Sequence, residues 1–124
     1  MSAKAIVLDG DRVLLLRNYR DEWELPGGRP ADNESLADAT VREVREETGL
    51  ETAVSEFVDF WDYEIGVEDA VVRVISFAAT LVREDRIVLS EEHDAGRWFS
   101  LDELDDLVLL DGYKRSIPLA SAAD

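Results

Sequence analysis

A chain of 124 residues, 46% of them hydrophobic, is long enough for one hydrophobic core and too apolar to be disordered. The absence of cysteine excludes disulfides and cysteine metal sites, and one histidine cannot build a histidine-rich zinc site. A formal net charge of -16 disfavours binding to nucleic acid. We therefore predict a single domain over residues 1–124.

No stretch approaches the roughly 20 apolar residues that a membrane helix needs, and the N-terminal segment lacks the order of a signal peptide. We expect a cytoplasmic protein that does not bind membranes. The acidic surface fits either adaptation to high salt or ordinary solubility, and composition leaves both open.

The first half of the chain alternates apolar runs with turn signals. Residues 3–8 and 13–16 are separated by Asp9-Gly10-Asp11, which predicts a hairpin. The segment 18–24 is polar and aromatic, and we expect residues 25–28, "LPGG", to be loop. A helix follows over 35–48, ended by Gly49, with Ala37, Val41 and Val44 on the stripe that faces a sheet.

The second half contains two long strand candidates, 51–64 and 70–82, rich in β-branched and aromatic residues. Residues 97–99 are a short strand candidate. An acidic helix over 101–107 begins at Ser100, with Glu103 at capping-box spacing. A final helical turn after Gly112 is weakened by Pro118. This order predicts a mixed sheet with helices packed on it, an α/β or α+β sandwich.

The helix contains an unusual cluster of acids, Glu43, Glu46 and Glu47, in the segment "REVREETGL". The simplest interpretation is a solvated charged face in which Arg42 pairs with Glu46. The acids lie towards the C-terminal end, however, where the helix dipole disfavours negative charge, and they also repel each other. A hard cation such as Mg²⁺ or Mn²⁺ would relieve both penalties.

The spacing is more specific than the cluster. Gly28, Glu34 six residues later, and the run from Arg42 to Leu50 match the Nudix box at every fixed position. The chain therefore resembles the Nudix hydrolases, and "LPGG" and "RWFSLDEL" extend the resemblance over most of its length. The resemblance implies an α/β/α sandwich with a mixed β-sheet. It also implies hydrolysis of a nucleoside diphosphate linked to another group, with divalent cations.

The resemblance also implies roles for residues of the box. Glu46 and Glu47 correspond to metal ligands, Glu43 to a ligand or general base, and the Gly28 carbonyl to a further ligand. Arg42 corresponds to the residue that orients a glutamate, with Glu34 bracing it. In some relatives the base lies in a later loop, where this chain has Glu91 and Glu92. We favour Glu92, and we expect His93 to be structural or exposed.

The substrate is less well defined by the sequence. Arg17, Arg20 and Arg29 are candidates for phosphate contacts, and Trp23 is a candidate for stacking on a base. Other aromatic candidates for stacking are Tyr19, Trp61 and Tyr63, whereas we assign Trp98 to the core.

The proline typical of the ADP-ribose group is missing, since none lies between Pro30 and Pro118. This slightly favours a nucleoside triphosphate or a modified nucleotide over ADP-ribose or a nucleotide sugar. The alternative is a catalytically silent module that senses a nucleotide, although the intact glutamates argue against it. A homodimer is compatible with the resemblance.

Overall fold

The computed structural model describes residues 1–66, 68 and 70–122. Residues 67, 69, 123 and 124 of the predicted domain lie outside the described residues. The elements in chain order are β1 (Ser2–Asp9), β2 (Arg12–Arg17), β3 (Trp23–Glu24), β4 (Gly27–Gly28), α1 (Leu36–Thr48), β5 (Thr52–Glu64), β6 (Val71–Leu81), β7 (Ala95–Ser100), a 3₁₀ helix (Leu101–Asp106) and α2 (Asp111–Ala122).

The sheet is mixed, as predicted. β1 and β2 form the expected antiparallel hairpin around Gly10, whose φ is 65°. β1 also pairs with β6 in parallel, and β6 pairs with β5 in antiparallel. The path β3-β2-β1-β6-β5 is extended by β4 on β1 and by β7 on β2.

The strands bury both faces, which gives two hydrophobic clusters. Successive side chains of a strand point to opposite faces, so Ile6 and Ala5 of β1 belong to different clusters. One cluster includes Val44 of α1, and the other includes Ile117 of α2. The predicted α/β/α sandwich is confirmed. Within the described residues, no helix has the length and apolar character needed to cross a membrane.

Helix α1 begins and ends where the sequence predicts. The Ser35 side chain accepts a hydrogen bond from the Asp38 N–H at 3.1 Å, and Gly49 ends the helix with φ 75°. The predicted buried stripe is only partly right, because Ala37 and Val41 are half-buried. The residues that α1 buries are Ala39, Thr40, Val44, Glu47 and Thr48.

The polar members of this face can be buried because their side chains are satisfied. The Thr40 hydroxyl donates to the Leu36 carbonyl at 2.8 Å, and the Thr48 hydroxyl donates to the Val44 carbonyl at 2.6 Å. A stripe predicted from the apolar residues alone therefore lies to one side of the face that α1 buries.

Two further predictions need correction. Residues 27–28 are not loop but strand β4, in which Lys4 pairs with Gly27 and Ala3 with Gly28. α2 is a full helix despite Pro118, because Tyr113, Ile117 and Ala120 lie on one face and are buried in the core.

The acidic segment 101–107 forms a 3₁₀ helix. Its first turn is stabilised by the Ser100 N–H, which donates to the Glu103 carboxylate at 2.9 Å.

Candidate active site

Glu47 lies on the inner face of α1 and is only 4% exposed. Its Oε1 accepts a hydrogen bond from the Gly27 N–H at 2.7 Å, and its Oε2 lies 3.7 Å from His93 Nδ1. Burial raises the pKa of Glu47 to about 7, although Lys4 and the Gly27 N–H favour the ionised form. The short strand β4 therefore fixes one oxygen of this carboxylate and leaves the other directed at the loop before β7.

Arg42 holds the other acids of the box. Its Nε and Nη2 each donate to the Glu34 carboxylate at 2.8 Å, and its Nη1 lies 3.1 Å from oxygens of both Glu43 and Glu46. The paired guanidinium lowers the pKa of Glu34 to about 2. Glu46 is exposed, so this side of the cluster is open to solvent.

Gly28 brings the backbone of β4 against the Glu43 carboxylate. A Cβ at position 28 would lie 2.7 Å from Glu43 Cδ, closer than two such atoms can approach. Together, α1 and β4 therefore place three predicted site residues, Gly28, Glu43 and Glu47, side by side.

The loop before β7 places Glu92 and His93 opposite Glu47. This loop is anchored to the end of α1, since the Ser90 N–H donates to the Glu47 carbonyl at 3.1 Å. Ligand atoms of Glu47, Glu92 and His93 all lie within 4.8 Å of one another. Glu91 is exposed and does not belong to this group.

The sequence analysis missed Glu24 and Lys4. Glu24 Oε1 accepts from Asn18 Nδ2 at 3.1 Å and lies 3.4 Å from His93 Nε2, while its Oε2 lies 3.5 Å from Lys4 Nζ. Burial alone would raise the pKa of Glu24, but His93, Lys4 and Asn18 lower it to about 2. A lysine inside the apolar strand β1 was the available signal, because a buried ammonium needs a partner.

These residues surround a cleft of about 290 Å³. Arg20 lines it, whereas Arg17 is not among its lining residues. Arg17 pairs with Asp94 at 2.9 Å and lies over the ring of Trp23. The lining residues are Lys4, Asn18, Tyr19, Arg20, Glu24, Gly27, Glu47, Glu92 and His93.

The aromatic candidates divide between the clefts and the core. Trp23 packs edge-on against Phe99, with ring centroids 4.7 Å apart. Trp61 packs against Tyr113 at 5.0 Å, and Trp98 is half-buried against the cluster that includes Val44. Arg29 and Tyr63 line a second cleft of about 270 Å³, which adjoins the first through Lys4 and Glu24.

Comparison with known proteins decides the family. The family model described as NUDIX domain matches residues 1–120. The chain belongs to the Nudix hydrolase family. The family predicted from the box is thus confirmed, and it is the surrounding fold as well as the box that matches.

Sequence similarity to individual proteins supports the same family. The chain is 34% identical over 106 residues to the CTP pyrophosphohydrolase of Escherichia coli, covering 82% of this chain and 75% of that protein. It is 46% identical over 55 residues to a putative 8-oxo-dGTP diphosphatase of Bacillus subtilis, covering 43% of this chain and 37% of that protein. The match to the Bacillus protein thus spans little more than a third of its length.

A solved structure extends the similarity to the whole described fold. The ADP-ribose pyrophosphatase of Streptococcus suis is 27% identical and superposes with a TM-score of 0.80, covering 98% of this chain and 89% of that chain. The three relatives carry three different substrate names.

Proposed function

We propose that this Nudix protein is a metal-dependent hydrolase of the pyrophosphate linkage in a nucleoside diphosphate derivative. The observation that carries the proposal is the arrangement around Glu47. Its buried carboxylate is fixed by the Gly27 N–H at 2.7 Å and faces Glu92 and His93 across the cleft. We also propose that the protein acts in the cytoplasm on a small nucleotide rather than on nucleic acid.

The donor groups are of the type that a divalent cation binds, although the structure brings Glu47 together with Glu92 and His93, while Glu43 and Glu46 are held by Arg42. Residues that would hold it are Gly28, through its carbonyl, and the carboxylates Glu43, Glu46 and Glu47, a set of oxygen ligands that suits Mg²⁺ or Mn²⁺. Glu47 supports the fit, because it is 4% exposed and has no arginine or lysine within salt-bridge distance among the described residues. When bound, such an ion neutralises phosphate charge and lowers the pKa of a bound water.

The chain's own residues supply orientation and proton transfer. Arg42 holds Glu43 and Glu46 at 3.1 Å, so both carboxylates keep a defined direction on the outward side of α1. Glu92 is the candidate for a direct metal contact or for accepting the proton of the attacking water, since it is exposed and faces Glu47. Arg20 lines the cleft and can bind substrate phosphate with its guanidinium.

The proposed substrate class is a nucleoside triphosphate or a modified nucleotide, in slight preference to ADP-ribose or a nucleotide sugar. The names of the two curated relatives, a CTP pyrophosphohydrolase and a putative 8-oxo-dGTP diphosphatase, support this order. The similarity to an ADP-ribose pyrophosphatase keeps ADP-ribose as the main competitor. A nucleotide-sensing module is the alternative function.

A turnover panel tests the proposal. Nucleoside triphosphates, oxidised triphosphates, ADP-ribose, nucleotide sugars and dinucleoside polyphosphates are incubated with Mg²⁺ or Mn²⁺, and every product is identified. We expect metal-dependent cleavage of one class, lost in Glu47→Gln and retained in Glu51→Gln, which removes the half-buried carboxylate that pairs with Arg45 at 3.7 Å. Tight binding without cleavage across the panel would instead establish a sensor.

A further inference from the structure

His93 has an imidazole nitrogen that is buried and unpaired. Its side chain is 5% exposed, and Nδ1 has no hydrogen-bond partner among the described residues. This nitrogen faces the carboxylates of Glu47 and Glu92, with Glu47 Oε2 at 3.7 Å. A separation of 3.7 Å is too long for a hydrogen bond, so direct donation from Nδ1 does not explain the arrangement.

The other imidazole nitrogen indicates which tautomer the site favours. His93 Nε2 lies 3.4 Å from Glu24 Oε1, and an ionised carboxylate can only accept. Nε2 is therefore the donor, and Nδ1 faces two carboxylates without a hydrogen-bond partner. A proton on Nδ1 would form no hydrogen bond across 3.7 Å, whereas a metal ion can bind Nδ1 and both carboxylates at once.

The contact with Glu24 is also the arrangement that supports a metal-binding histidine. Such a histidine almost always donates its second ring N–H to a carboxylate or carbonyl, which fixes the ring. Glu24 is itself held by Asn18 at 3.1 Å and by Lys4 at 3.5 Å. The imidazole is therefore oriented by a chain of buried polar contacts that points Nδ1 at the cleft.

We propose that His93 Nδ1 is a metal ligand, and that Glu47, Glu92 and His93 form a mixed nitrogen and oxygen site for a divalent transition-metal ion. The inference rests on the proposed metal-dependent function and names a ligand beyond the glutamates. Glu24 is a positioning residue that acts through His93. Glu92 is exposed and can adjust to the ion, whereas Glu47 and His93 are fixed.

The nitrogen ligand changes which metal the site prefers. Mg²⁺ takes oxygen ligands and keeps several waters, whereas imidazole suits transition metals. Mn²⁺ accepts both ligand types, so it serves as the probe. We expect Mn²⁺ to bind more tightly than Mg²⁺, and only the Mn²⁺ affinity to depend strongly on His93.

Nitrogen coupling in the electron paramagnetic resonance spectrum of bound Mn²⁺ is the direct test. His93 is the only histidine, so growth with ¹⁵N-histidine labels one imidazole in the tag-free protein. Electron spin echo modulation should show nitrogen coupling that changes from ¹⁴N to ¹⁵N frequencies on labelling. Bound Mn²⁺ without such coupling, or no Mn²⁺ binding by the wild-type chain, would overturn the inference.

Calorimetric titration supplies a second measurement. His93→Gln should weaken Mn²⁺ binding by about tenfold or more and Mg²⁺ binding by less than about threefold, with Glu51→Gln unchanged for both. Equal losses for both ions would count against a nitrogen ligand. If His93→Gln fails to fold, the labelled wild-type spectrum still decides.

The two proposals can fail separately. Metal-dependent turnover without nitrogen coupling overturns this inference and leaves the proposed function standing. Nitrogen coupling without cleavage of any nucleotide keeps the ligand and overturns the proposed function.

Discussion

The two sides of the carboxylate cluster are neutralised in different ways. On the outer side, Glu34, Glu43 and Glu46 share the guanidinium of Arg42, with contacts of 2.8–3.1 Å. On the inner side, Glu47 faces His93 at 3.7 Å and receives one backbone N–H. The outer side therefore carries its own guanidinium, whereas Glu47 on the inner side has no arginine or lysine within salt-bridge distance among the described residues.

This difference indicates a division of labour. Arg42 and the three glutamates that it binds hold each other in fixed positions at the surface, and we call this group the outer frame. Its charge-assisted hydrogen bonds form without deep burial. A buried carboxylate with a pKa raised to about 7 is poised to release its proton when a cation arrives. The outer side is thus fixed by its own ion pairs, whereas the protonation of Glu47 on the inner side would change if a cation bound there, as proposed.

Two adjacent glycines, Gly27 and Gly28, allow the inner and outer sides to be disturbed separately. Gly27→Ala is the variant for which we expect the largest effect on stability. Gly27 supports Glu47 and has φ 142°, and a Cβ there would overlap with the Ala3 carbonyl oxygen. Backbone strain plus this clash predicts that Gly27→Ala lowers the free energy of unfolding by about 4 kcal/mol. Chemical denaturation measures the loss.

Gly28→Ala is the matched variant on the outer side. The three atoms nearest to its Cβ all belong to the end of the flexible Glu43 side chain, at 2.7–3.0 Å. We expect a loss of under about 1 kcal/mol in stability, with reduced turnover because Glu43 is displaced. If both variants were destabilised to a similar extent, the contrast would be wrong. The Glu43 side chain would then resist displacement as strongly as the backbone beside Gly27 does.

The next largest effect is a pH dependence of the metal-free protein. Below its ordinary pKa of 4.5, Glu47 is protonated in both the folded and the unfolded chain. As the pH rises towards about 7, the unfolded chain loses this proton and the folded chain keeps it, so stability falls. The full loss is about 3 kcal/mol.

Denaturation of wild type and Glu47→Gln between about pH 5 and pH 6.5 measures this loss as a difference in slope. Burial lowers the pKa of His93, but Glu24 and Glu47 raise it further, so its stabilising charge is lost only above its ordinary 6.5. Glu24, with a pKa of about 2, stays ionised in the folded chain, and the small slope from its protonation in the unfolded chain near pH 5 is the same in both proteins. If the free energies of unfolding of the two proteins changed in parallel with pH, the pKa of Glu47 would not be raised in the folded chain.

The outer side was largely predictable from sequence, and the inner side only in part, because Glu47 and Glu92 were expected at the site whereas Glu24 and Lys4 were not. The spacing of Glu34 and Arg42 and the helical repeat bring the outer groups together through local geometry. Glu24 and His93 are 69 positions apart and meet only because β3 and the loop before β7 both flank β2. The periodicity of helices and strands in the sequence cannot predict a contact over this separation.

The two errors in the predicted fold also arise from contacts between residues distant in sequence. Gly27 and Gly28 form a strand because β1 runs beside them, although "LPGG" by itself indicates loop. Pro118 is tolerated because burial of Tyr113 and Ile117 outweighs one lost hydrogen bond. In both places tertiary packing overrides the local propensity.

The smallest predicted effect tests the outer frame. Glu34→Gln removes the charge that receives two hydrogen bonds of 2.8 Å from Arg42, so Arg42 holds Glu43 and Glu46 less firmly. We expect kcat to fall by about tenfold with KM nearly unchanged, because the lost contact supports metal-binding groups rather than substrate. Steady-state kinetics on the substrate found in the panel measures both constants.

Asp62→Asn is the matched control, since Asp62 accepts a similar pair of bonds from Arg73, at 2.8 and 3.0 Å, far along β5. It should leave both constants unchanged. An unchanged kcat in Glu34→Gln would mean that Glu43 and Glu46 alone keep Arg42 in place. The outer frame would then need only the three charges carried by α1 itself, because Arg42, Glu43 and Glu46 all lie on that helix.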